Sequence, residues 1–159
     1  MTKTKKALVI AGVIFSLMVV LLPVEGCLIY RFINRIHFSE QDIIDYVTEN
    51  ETDLKRYVDG EIAEKALMER IGETTVKSIQ RDENGTVVFQ CDYQGGAVAP
   101  STEVGFLYSE SDIPSFEDIG PSEFREKEEG KYLAEFSRGN TVEANRILPG
   151  WFYYRVNWH

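Results

Sequence analysis

Two histidines, two cysteines and 26 carboxylates are the raw material for catalysis in this chain. Nucleophilic catalysis needs a serine or cysteine with a base in hydrogen-bond reach. His37 follows an apolar N-terminal run and His159 is the last residue, so neither stands beside such a nucleophile in sequence. Cys91 falls in step with Phe89 in a strand pattern, which marks a small core residue rather than a reactive thiolate. No Gly-x-Ser-x-Gly elbow occurs, and a triad has almost no material. Paired carboxylates could hydrolyse a glycosidic bond, but no spacing singles out a pair among so many acids.

Metal and phosphate chemistry is equally thin. Zinc needs Cys and His at ligand spacing, and no such cluster exists. Calcium has weak candidates in Glu110 and Asp112 of "SESD" and in Asp82 and Asn84 of "DENG", all on expected turns. Neither stretch has the twelve-residue calcium-loop spacing, and the same residue types favour turns through local backbone hydrogen bonds. "YQGGAV" lacks the Lys and Ser/Thr that follow a phosphate-cradling turn. The sequence implies no cofactor.

Recognition chemistry is better supplied. "GWFYYRVNWH", residues 150–159, reads as a strand that sends alternate side chains to opposite faces. Phe152, Tyr154, Val156 and Trp158 then share a core face turned to a helix. Trp151, Tyr153, Arg155, Asn157 and His159 share the other, where large rings beside polar groups resemble a recognition surface. Either Trp151, Tyr153, Arg155 and His159 contact a partner, or the polar segment at 110–130 folds back and covers the two rings.

These residues need elements to position them. Residues 38–73 carry apolar side chains mostly three and four apart, which predicts one long helix capped by Ser39, with a kink or break at Gly60 and a stop at Gly72. Beyond Gly72 the period becomes two. "TVKSIQR" and "TVVFQCDY" flank the Asn-Gly turn of "DENG", and "TEVGFLYS" follows as a third strand. Residues 110–130, with Pro114 and Pro121, read as a long loop, and "KYLAEFS", "TVEANRIL" and "WFYYRVNW" as three more strands. The expected fold is α+β: a long helix lying across an antiparallel meander of five to six strands, a layout similar to cystatin or NTF2-like domains.

The N-terminus sets the address. Residues 7–24 hold no charge over 18 positions, which as a helix reaches ~27 Å, enough to cross a hydrocarbon core. Lys3, Lys5 and Lys6 precede it and favour a cytoplasmic N-terminus. Three readings stay open: an uncleaved signal-anchor, a secretory signal cleaved after Gly26, and a lipoprotein signal with Cys27 lipidated, against which Glu25 stands. All three export the remainder, dividing the chain into a tip, membrane span and connector at 1–36 and a domain at 37–159.

Charge follows the same division. Of 17 basic and 26 acidic side chains, residues 1–35 hold five and one, leaving 12 and 25 beyond, a net of −13. A domain this acidic repels nucleic-acid phosphates and lacks a polybasic grip on anionic lipid. With Cys27 at the membrane edge and Cys91 in a strand, no intrachain disulfide is expected.

Residues 100–159, with "STEVGFLYSESDIP" and the aromatic final strand, resemble uncharacterised small membrane-anchored envelope proteins of Gram-positive bacteria that carry a "GFYYS" stretch. Leu107 stands here in place of its first tyrosine. The resemblance implies an envelope location and no activity. The expectation is a single-pass membrane protein whose acidic extracytoplasmic domain binds a protein or envelope-glycan partner through Trp151, Tyr153, Arg155 and His159, with 110–130 as an adjustable rim. The alternatives are a carboxylate hydrolase acting on envelope material and a structural subunit that associates through its membrane helix.

Overall fold

The computed structural model describes residues 38–72, 75–95, 100–116 and 119–159. The apolar run at 7–24, His37 and Cys27 lie outside the described residues. None of the described helices is long and apolar enough to cross a membrane.

The expected long helix is two short ones, α1 (Glu40–Val58) and α2 (Glu64–Ile71). Ser39 and Asp42 form a capping box at the start of α1: the Asp42 amide donates to Ser39 Oγ (3.2 Å) and the Ser39 amide to Asp42 Oδ2 (2.8 Å). At the other end, Gly60 at φ +78° donates to the Tyr57 carbonyl and Glu61 to that of Arg56, the paired bonds of a Schellman motif. That motif ends a helix rather than kinking it. Arg81 Nη2 reaches the last carbonyl of α1 at Val58 (2.9 Å), and Tyr46 Oη that of α2 at Ile71 (3.2 Å). Ile43, Val47 and Leu54 of α1 and Leu67 and Ile71 of α2 form the buried helical face.

The sheet has seven strands rather than five or six: β1 (Ser78–Arg81), β2 (Val87–Gln94), β3 (Ser101–Tyr108), β4 (Arg125–Glu128), β5 (Lys131–Phe136), β6 (Asn140–Leu148) and β7 (Trp151–Trp158). Their order is β1-β2-β3-β7-β6-β5-β4, with every neighbouring pair antiparallel. It is therefore not one meander. The chain leaves β3, crosses to the far edge, and returns through β4, β5 and β6 to place β7 at the centre.

Central position explains why the final strand is buried on both faces. One face carries Phe89, Phe106, Trp151 and Tyr153 beneath the helices. The opposite face carries Leu107, Phe152, Tyr154 and Val156, covered by Phe116, Ile119 and Phe124 of the β3–β4 crossover. The expected assignment of faces is thus reversed: Trp151 and Tyr153 meet the helices, and the 110–130 segment packs on Phe152 and Tyr154. Gly105 makes room for that second layer, since a Cβ there would stand 2.8 Å from the Tyr154 ring. The crossover is pinned at its start, where Asp112 Oδ1 accepts from the Gly150 amide (2.7 Å) and Oδ2 pairs with Arg146 (3.2 Å).

Candidate functional site

The four residues expected to form one contact surface are not brought together. Trp151 is 1% exposed and Tyr153 2%, so both serve the core, and an exposed ring platform is excluded. Burial raises the pKa of the Tyr153 phenol, with nearby Arg155 opposing the shift. Arg155 is exposed on β7, opposite Glu143 of β6. His159 is exposed beyond the strand end, its amide donating to Asn140 Oδ1 (2.8 Å).

The remaining chemical candidates resolve into structure. The carboxylate of Asp112 is committed to Gly150 and Arg146, and Glu110 is exposed. Asp82 closes its own turn by accepting from the Thr86 amide (2.8 Å). Among the described residues no group of three or more His, Cys, Asp or Glu could hold a metal ion. Cys91 is fully buried, and desolvation pushes its thiol up to about 12, which leaves no thiolate at neutral pH.

Two carboxylates are set apart by their surroundings. Asp92 is buried and pairs with Lys77 Nζ at 2.8 Å. Glu103 has its pKa raised by desolvation, against the opposing hydrogen bonds of Tyr154 Oη (2.8 Å) and Gln90. The β2 bulge between Gln90 and Asp92 sets Asp92 opposite Val104, on the helix face. Glu103 pairs with Val156, on the crossover face. The sheet lies between the two, so they cannot share a bond to be cleaved.

The feature suited to a ligand lies where the β5–β6 turn meets the end of β7. There an open cleft of about 750 Å³ is lined by Phe136, Ser137, Arg138, Asn140, Trp158 and His159, with Ile119 and Glu123 on the crossover side. That volume is within the usual range of small-molecule clefts, about 300–1,000 Å³. Trp158 is half-buried and meets Phe136 edge-on, with ring centroids 5.5 Å apart. Its indole N–H has no hydrogen-bond partner among the described residues.

The turn itself is unusual. Arg138 sits at φ 66°, ψ 22° and Gly139 at φ 80°, while the Asn140 amide donates back to the Ser137 carbonyl. Two successive positive φ values suit a tight hairpin, but the first is normally occupied by Asn, Asp or Gly. Arginine there is held in a region that L side chains with a long stem disfavour. The Arg138 side chain makes no ion pair or hydrogen bond among the described residues.

No protein-family model, curated protein or solved structure matches this chain. Of the expected contact residues, the cleft retains His159 alone. Arg138 and Asn140 were legible only as turn residues between two strands, and Trp158 only as a core ring. The available signal was "RGN", an arginine beside glycine in a two-strand turn where asparagine belongs.

Proposed function

We propose that this chain is a single-pass membrane protein whose acidic extracytoplasmic domain binds a partner at the cell envelope through the cleft at the β5–β6 turn. The observation that carries this reading is Arg138, which lines that cleft in a strained backbone conformation and has no side-chain partner among the described residues. Strained positions persist where the surrounding structure over-determines them and cluster at functional sites, and a cation with no partner among the described residues stands out on a domain of net −13. The uncharged run at 7–24, the lysines before it and the resemblance of residues 100–159 to envelope proteins support the location.

The test is crosslinking in living cells from a photoreactive residue placed at Ser137 of the full-length protein. A discrete crosslinked species should form and should be lost in Arg138→Asn, which keeps the turn. A species that survives Arg138→Asn unchanged, or the absence of any, overturns the cleft as the binding site.

A further inference from the structure

We infer that the cleft takes a neutral, N-acetylated saccharide chain. This deepens the binding role proposed above and rests on it. The class follows from which groups the cleft leaves unused. Arg138 and the Asn140 amide nitrogen are hydrogen-bond donors without partners among the described residues, as Asn140 spends only its oxygen, on the His159 amide. The Trp158 indole N–H also has no partner among the described residues, but it is sealed from the cleft, to which Trp158 offers only its ring. Ser137 adds a hydroxyl that can serve either way. A donor-rich wall selects a ligand rich in carbonyl and hydroxyl oxygen.

Charge narrows the choice. Among the described side chains that line the cleft, one carboxylate, Glu123, stands against one guanidinium, Arg138, without pairing with it, so the lining has no cationic cluster of the kind that gathers a polyanion. The domain's net −13 repels a polyanion from the outset. A peptide would more naturally be held by backbone pairing at a sheet edge, and the cleft lies at a turn rather than along a strand. The half-buried Trp158 ring against Phe136 offers an apolar surface of the kind a sugar ring covers. Acetamide carbonyls then meet the Arg138 and Asn140 donors, and sugar hydroxyls donate to Glu123.

The experiment is a titration of the purified full-length protein, in mild detergent, with chitotetraose as the probe. Tryptophan emission is the readout, because Trp158 lines the cleft while Trp151 is sealed in the core. Chitotetraose should change the emission saturably, cellotetraose (which lacks acetamides) should bind at least several-fold more weakly, and polygalacturonate should not bind. Arg138→Asn should raise the Kd for chitotetraose about tenfold, the size expected of one lost hydrogen bond from a charged donor. Its thermal midpoint should not fall, since asparagine tolerates the positive φ better. Equal binding of cellotetraose and chitotetraose overturns acetamide recognition. Preferential, salt-sensitive binding of deacetylated chitosan oligomers overturns the inference in favour of charge adsorption. No saccharide binding, with an Arg138-dependent crosslink still seen in cells, rejects the ligand class and leaves the cleft standing as a partner site. Loss of both rejects both.

Discussion

At the scale of single residues, environment rather than type decides what each acid does, and Glu103 shows it most directly. Its carboxyl is held toward the neutral form by burial, while Tyr154 and Gln90 pull the other way and lose. Below the ordinary carboxylate range it is protonated whether folded or unfolded and costs nothing. As pH rises from that range through the raised native value, the unfolded chain releases its proton first, and stability is lost. Glu103→Gln keeps an acceptor for Tyr154 without a buried charge. Its advantage over the parent in urea unfolding should be small at pH 4 and grow by up to about 1 kcal/mol by pH 7. An advantage that shrinks as pH rises would show that the carboxylate is stabilised in place. Cys91 was legible as core from its alternation with Phe89. Glu103 was not, because its burial depends on Tyr154, 51 residues away in sequence.

At the scale of elements, the helical region separates pattern from punctuation. The apolar spacing of residues 43–71 fits one helix, and it is still obeyed on both sides of the break. What divides it is backbone: Gly60 at φ +78° completes the Schellman motif, with nothing within 4 Å of where a Cβ would stand. The two readings give opposite signs for one substitution. In a continuous helix, Gly60→Ala gains about 1 kcal/mol. In the observed motif the new Cβ meets no neighbour but is strained by the positive φ, and the variant should lose about 1 kcal/mol in chemical denaturation. A more stable variant would restore the single helix. The strands repeat the lesson. β1, β2, β3, β5, β6 and β7 were readable from their period of two, whereas β4 is "REKE" and exposed throughout, with no apolar phase to see. Its charge is the cause of its invisibility and also its use, since β4 forms one edge of the sheet and charged edges resist pairing with other chains.

At the scale of the whole molecule, topology hid what local pattern could not supply. "WFYY" is a continuous aromatic run, the mark of a strand covered on both sides, yet alternation alone assigns half of it to solvent. Only the β3–β4 crossover, which carries Phe116, Ile119 and Phe124 over the second face, makes the run intelligible. The crossover also supplies Ile119 and Glu123 to the cleft, so the same long connection that completes the core builds one wall of the candidate site. The charge division of the chain argues for where that site faces. Lys3, Lys5 and Lys6 precede the uncharged run, while the 124 residues from 36 onward carry the net −13. Positive flanks are retained in the cytoplasm, and acidic segments translocate without that penalty. In cells stripped of their wall, added protease should therefore degrade the domain at 38–159, while an epitope fused before Met1 survives until the membrane is permeabilised. A domain protected in intact cells would place the cleft in the cytoplasm. It would remove envelope saccharide from the ligands the cleft could meet, whatever its affinity in solution. Location and ligand class therefore stand as linked hypotheses, and the protease result constrains both.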